Sequence, residues 1–165
     1  MLIGLIGENC SGKSTLANRI KGELGAEVVS GRDYLRLAGS ESEAAALFAE
    51  KLRNAVSGEN LIYVISEPEQ VKLLPEGAVR ILVSADLDTI RERFRARLHG
   101  SLPPPVAQML ERKHGMFDGG TYDLRFDGVS GDAGALCAAL KARVAGPEMP
   151  AHYAGRGCEV RALSD

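Results

Sequence analysis

The apolar run Leu2-Ile3-Gly4-Leu5-Ile6 leads straight into Gly7-Glu8-Asn9-Cys10-Ser11-Gly12-Lys13-Ser14-Thr15, and a helical pattern marked by Leu16, Ile20 and Leu24 follows. A strand with no polar alternation has to be covered on both faces, as in a parallel sheet. The residues after it fit G-x-x-x-x-G-K-[S/T] in full, between a strand and a helix, so the chain opens on a phosphate-binding loop. Glycines at both ends let the backbone curl until successive N–H groups point inward at a helix N-terminus, a concave site for a polyphosphate anion. All nine residues, Gly7, Glu8, Asn9, Cys10, Ser11, Gly12, Lys13, Ser14 and Thr15, are candidate nucleotide contacts. Lys13 is the cation for the β- and γ-phosphates, the Ser14 hydroxyl is the candidate ligand of Mg²⁺, and Thr15 is a lesser candidate for the α-phosphate. ATP and Mg²⁺ are the expected ligands.

At 165 residues the chain has the length of one domain that buries a core without metal or disulfide staples. A net charge of −2 argues against nucleic acid as a partner, so any positive site has to be local. Cys10, Cys137 and Cys158 are odd in number and lack C-x-x-C spacing, which argues against a disulfide framework or zinc site and for a reducing compartment. Cys10 reads as an oxidisable thiol or, more plainly, as a small loop filler. No run approaches the roughly 20 apolar residues that span a bilayer. With no signal-peptide pattern at Met1, the expectation is a cytoplasmic protein with no membrane partner.

Further along, Leu24-Gly25 reads as a helix stop and Ala26 to Ser30 as a second strand. The charged loop Gly31 to Arg36 then lies at a strand's carboxyl end, where open parallel sheets bind ligands. Ser40 is a candidate N-cap for a helix over Glu41 to Val56, with Ala45, Leu47, Phe48, Leu52 and Val56 as its inner face. Leu61 to Ser66 reads as a central strand ended by Glu67-Pro68, and Ala78 to Val83 as a fourth. A helix from Asp86 to Leu98 carries an apolar stripe of Leu87, Ile90, Phe94 and Leu98, flanked by two arginine pairs: Arg91 with Arg95, and Arg93 with Arg97. The prolines at 103–105 mark a lid-like segment, about 98–115, with a short helix through Lys113. A fifth strand over Tyr122 to Phe126 and a helix over Asp132 to Val144 complete the domain at about 1–146. The tail, 147–165, has linker composition at first, and Cys158 to Leu163 suggests an added edge strand or a partner contact. Strands alternating with helices imply a three-layer α/β/α sandwich on a five-stranded parallel sheet.

Three blocks resemble the P-loop small-molecule kinases of the nucleoside monophosphate kinase-like group typified by adenylate kinase. Beside the phosphate loop, Gly25 to Arg36 is similar to the group's G-x-x-x-I-S-T-G-D-x-L-R segment, and Glu92 to Arg97 to its E-R-L-x-x-R. The resemblance implies a P-loop NTPase fold. It also implies catalytic roles for Lys13, Arg93 and Arg97, the arginines clamping ATP and the transferred phosphoryl group, and an acceptor-phosphate contact for Arg36. Spacing i, i+4 puts Arg93 and Arg97 on one helix face. Two blocks depart from the group's pattern: Thr-Gly before the aspartate becomes Gly31-Arg32, and the third-strand D-G-F-P-R becomes Ser66-Glu67-Pro68-Glu69-Gln70. Arg32, Asp33, Arg36 and Glu67 are therefore the candidate acceptor residues, with Asp33 or Glu67 as the proton acceptor if the acceptor is an alcohol. Asp33 also reads as a helix cap, Glu67 as a turn acid, and Arg32 or Arg36 as an ion-pair partner of Asp33 or Glu41. His99 and His114 flank the lid and read as bystanders.

The expected function is ATP- and Mg²⁺-dependent phosphoryl transfer to a small metabolite, with a nucleotide or nucleoside as first acceptor class. A gluconate-type or dephospho-coenzyme A kinase-like activity is the alternative, and a non-catalytic ATP-binding regulatory module a third reading. Shikimate kinase fits less well, since its D-x-D and triple-glycine elements are missing. The chain is expected to be a monomer or homodimer.

Overall fold

The structure is a computed structural model; it describes residues 1–145 and the backbone of Tyr153–Gly155 and Cys158–Val160. In chain order the elements are β1 (Leu2–Ile6), α1 (Lys13–Leu24), β2 (Glu27–Ser30), a 3₁₀ turn (Asp33–Leu37), α2 (Glu41–Ser57), β3 (Leu61–Ile65), α3 (Pro68–Val71), β4 (Val79–Ser84), α4 (Leu87–Arg97), α5 (Pro104–Lys113), β5 (Leu124–Asp127) and α6 (Ala133–Ala145). Five strands form one all-parallel sheet in the order β2-β3-β1-β4-β5. β1 lies at its centre, fully buried along its length, so the loop that leaves it emerges between two neighbouring strand ends. This is the α/β sandwich expected from the strand–helix alternation.

Side-chain alternation along β1 divides the core. Ile3 and Leu5 face α1 and α6 through Leu16, Ile20, Leu136 and Leu140. Leu2 and Ile6 face α2 and the segment before β5 through Phe48, Leu52, Phe117 and Tyr122. Gly4 shares that second face, where a Cβ would stand 2.5 Å from a Leu74 methyl, so glycine is what lets Leu74 close over the strand. A third, smaller cluster joins Cys10 of the phosphate loop to Ile90 of α4 and Leu110 of α5, anchoring the lid hairpin on the loop.

Helix ends follow their sequence signals. Ser40 accepts from the Glu43 N–H at 3.2 Å and Asp86 from the Thr89 N–H at 2.8 Å, satisfying first-turn donors that otherwise lack partners. Gly25 ends α1 in the left-handed region at φ 64°. The inner face of α2 needs one correction: Ala44, Phe48, Leu52 and Ala55 are buried, whereas Leu47 is 47% exposed. The small alanines let the helix lie close on the sheet, and this rotates Leu47 outward. On α4 the stripe holds for Ile90, Leu87 and Phe94, but Leu98 is exposed as the helix ends. The stretches expected as loop contain the 3₁₀ turn and α3. In the tail, Tyr153–Gly155 (β6) and Cys158–Val160 (β7) pair antiparallel as a separate two-stranded sheet, not as an edge of the main one. The rest of the tail reading, Gly146 to Pro150 and Arg161 to Leu163, lies outside the described residues.

Gly22 sits exposed in the interior of α1, with nothing within 4 Å of a Cβ built there. Gly22→Ala removes backbone freedom from the unfolded chain at no steric cost and is expected to stabilise by about 0.5–1 kcal/mol. A thermal melt should show a rise of about 2–3 °C for a chain of this size; an unchanged or lower midpoint contradicts it.

Candidate functional site

The residues after β1 fold into a tight loop because two of them take left-handed backbone, Cys10 at φ 64° and Gly12 at φ 107°. Gly7 and Gly12 are glycine for reasons of space as well. A Cβ on Gly7 would stand 2.2 Å from the Val83 carbonyl oxygen, and one on Gly12 would stand 3.2 Å from that of Gly128. Gly12 starts α1 with no side-chain cap and no acid in the first turn, so the helix's first N–H groups and its positive dipole end are left for an anion. That arrangement fits a polyphosphate.

Lys13 is 5% exposed, and its ammonium donates to the carbonyl oxygens of Gly7 at 2.7 Å and Glu8 at 2.6 Å. Burial pushes its pKa down to about 8, and the nearby positive charge of Arg97 acts in the same direction. The loop thus holds a cation that is dehydrated and fixed before any ligand is met, which strengthens its pull on phosphate. Ser14 and Thr15, the next two residues, are exposed to the same cavity. Ser14 is thus the residue whose hydroxyl could hold Mg²⁺ if the ion binds with a nucleotide. No cluster of three or more His, Cys, Asp or Glu side chains suited to a metal occurs among the described residues, so the ion would draw its other ligands from phosphate and water.

The arginines of α4 separate by role. Arg93 reaches across the loop: Nη1 donates to the Cys10 carbonyl at 3.1 Å and Nη2 to that of Gly128 at 2.9 Å. Instead of pairing with Glu92 or Asp88 on its own helix, it ties the phosphate loop to the turn after β5. Arg97, one turn on, lines the cavity with it. Arg91 is spent on structure, pairing with Asp88 at 3.7 Å and with Glu111 of α5 at 3.5 Å.

The cavity measures about 810 Å³ and runs across the carboxyl ends of the strands, where open α/β sheets bind ligands. One half is walled by Arg19 of α1 and by Phe126, Asp127, Gly128 and Gly131 around the end of β5. Asp127 shapes that wall by accepting from the N–H groups of Val129 and Ser130 at 2.8 and 3.2 Å. The other half meets Ser30 and Gly31 at the end of β2 and Val64 and Ser66 at the end of β3. Asn9, Cys10, Gly12, Lys13, Ser14, Thr15, Arg93 and Arg97 are thereby brought together on one cavity.

The acceptor candidates stand next to its lining residues in the chain, already partnered in part. Arg32 pairs with Glu41 at 3.5 Å, both well exposed, and Glu67 pairs with Lys113 at 3.4 Å. Asp33 opens the 3₁₀ turn and Arg36 is its last residue but one, both exposed. Glu8 turns away from the cavity toward the lid, where His114 meets it. Ser11 is fully buried behind the loop, its hydroxyl without a partner among the described residues. Lys113, Arg19 and Gly128 were not singled out from the sequence; only the Asp-Gly pair at the end of β5 signalled a turn there.

Known protein families offer no model that matches this chain, and no curated protein matches it in sequence. Solved structures do match. Shikimate kinase from Bacteroides thetaiotaomicron superposes with a TM-score of 0.55 at 15% identity, over 88% of this chain and 98% of that one. A gluconokinase from Sinorhizobium meliloti gives 0.56 at 17% identity, over 87% and 95%. The YorR protein from Bacillus subtilis, in complex with phosphorylated GDP, gives 0.57 at 19% identity, over 88% and 96%. The chain therefore shares the parallel α/β fold of these solved proteins over most of its length. Among the described residues no helix is long and apolar enough to cross a membrane.

Proposed function

We propose that this chain is an ATP- and Mg²⁺-dependent phosphotransferase that moves the γ-phosphoryl group to a small metabolite. The observation that carries the reading is the convergence of Lys13, Ser14, Arg93 and Arg97 on one cavity at the carboxyl ends of a parallel sheet. Phosphoryl transfer needs positioning and charge stabilisation more than covalent help, and a lysine, two arginines and a bound Mg²⁺ supply both. The acceptor oxygen forms its bond to the γ-phosphorus as the bond to the β-phosphate oxygen breaks. Lys13 and Arg97 take up the charge on the transferred group, and Arg93 holds the loop in shape. Ser14 would hold Mg²⁺, and the ion would supply further charge neutralisation.

Within the acceptor classes a hydroxyl-bearing one is favoured, a nucleoside or other alcohol-bearing metabolite ahead of a mononucleotide. The acceptor half is lined by Ser30, Gly31, Val64 and Ser66, none of them charged, while Arg32 and Lys113 are engaged by Glu41 and Glu67. Arg36 has no partner among the described residues, but it is not one of the residues that line the cavity. Asp33 or Glu67 takes the proton of the hydroxyl.

The test is ADP release from Mg-ATP with pooled nucleosides, sugar acids, dephospho-coenzyme A or nucleoside monophosphates, with Lys13→Ala as the blank. Stimulation by a hydroxyl-bearing pool that vanishes in the blank supports both parts of the reading. Stimulation by monophosphates alone overturns the acceptor assignment. ATP binding with silence in every pool turns the reading to a nucleotide-binding regulatory module.

A further inference from the structure

Glu8 places a carboxylate in a loop otherwise built for anions, and its surroundings show what it does there. Its side chain is 13% exposed and is held at both oxygens by residues more than a hundred positions away: Oε1 lies 3.1 Å from His114 Nδ1, and Oε2 accepts from the Gly115 N–H at 3.3 Å. Because a carboxylate only accepts, His114 Nδ1 carries the proton of that bond. The residue just before, Lys113, pairs with Glu67 at the end of β3. Beneath these polar contacts Cys10 of the same loop shares a buried cluster with Leu110.

We infer that Glu8 is a positioning residue: it latches the trailing end of the lid, residues 113–115, onto the phosphate loop and so sets Lys113 against Glu67, the residue after Ser66 of the acceptor half. The inference rests on the reading of that half as the acceptor site. Its consequence is that the trailing end of the lid moves with the nucleotide loop, joined to it through the Glu8 side chain.

The decisive measurement is amide exchange at Gly115, followed by NMR on the full chain without acceptor. In Glu8→Ala, Gly115 should exchange about tenfold faster, the effect of losing one bond to a charged group. His114→Ala should loosen the same amide, and the Glu8→Ala, His114→Ala double variant should exchange no faster than Glu8→Ala alone. His114→Asn, whose amide N–H₂ stands where Nδ1 stood, should restore the native rate. With an active acceptor, Glu8→Gln should raise the acceptor KM several-fold with little change in kcat. Native protection at Gly115 in Glu8→Ala, additive single effects, or failure of the asparagine rescue overturns the latch. Absence of turnover with any acceptor, alongside the predicted Gly115 response, counts against phosphotransfer and leaves the latch standing.

Discussion

Lys13→Ala is expected to lower turnover by about two to three orders of magnitude, the effect of removing one preorganised donor from a charge-stabilising site. The fold should tolerate the change. Truncation leaves the Gly7 and Glu8 carbonyls without their donor, but it also relieves the cost of burying an ammonium, and the two offset. A melt within about 5 °C of the parent separates lost chemistry from lost structure. The native lysine carries its own pH dependence. With a pKa near 8, Lys13 is charged below pH 8 and loses its charge above it, so nucleotide affinity should weaken roughly tenfold per pH unit as pH climbs past 8. Stability should move the opposite way. Between about 8 and the ordinary lysine value of 10.5 the unfolded chain binds the proton that the folded chain has released, so folding becomes more favourable with rising pH across that window. Lys13→Arg, always charged, should flatten the affinity profile. Titration calorimetry with an ATP analogue from pH 7 to 9.5 checks this; a flat profile for the native chain removes Lys13 as the titrating group at the phosphates.

What could be read from the sequence follows the range of the physics involved. The phosphate loop, the cap at Ser40, the stop at Gly25 and the strand–helix order are local: each depends on residues within a few positions, and each is where the pattern puts it. Leu47 shows where local pattern fails. Hydrophobicity alone assigns a leucine inward, but on an alanine-rich helix the closest approach to the sheet belongs to the smallest side chains, Ala44 and Ala55. Arg93 was legible as a cavity arginine through family resemblance, yet its partners are backbone carbonyls, which carry no sequence signature. His114 reads as a bystander because its partner is 106 residues away. The half of the cavity at β2 and β3 is the least legible part: its lining residues, Ser30, Gly31, Val64 and Ser66, are ordinary until the two strands bring them together.

Gly128 makes the same point with a larger expected effect. Its φ lies outside the left-handed region, so alanine fits its backbone and only space forbids it. A Cβ there would stand 1.7 Å from the Ser11 carbonyl oxygen and 3.2 Å from that of Ser84; neither can swing away, because both belong to backbone fixed by the phosphate loop and by β4. The Gly128 N–H also donates to the Ser84 carbonyl at 2.7 Å, and its own carbonyl holds Arg93 at 2.9 Å. Gly128→Ala must therefore push the turn after β5 off the phosphate loop and loosen Arg93 with it. The expected cost is about 3 kcal/mol or more, the upper end of overpacking, which lowers the melting midpoint by about 10 °C. Nucleotide affinity should fall by at least about tenfold, because the cradle that Arg93 braces loses one of its two ties. Paired with the stabilising Gly22→Ala, the variant separates a glycine required by contact from one that is merely tolerated. A Gly128→Ala protein that melts and binds nucleotide like the parent would mean that the β5 turn does not seat against the phosphate loop, and the joint role assigned here to Arg93 would fall with it.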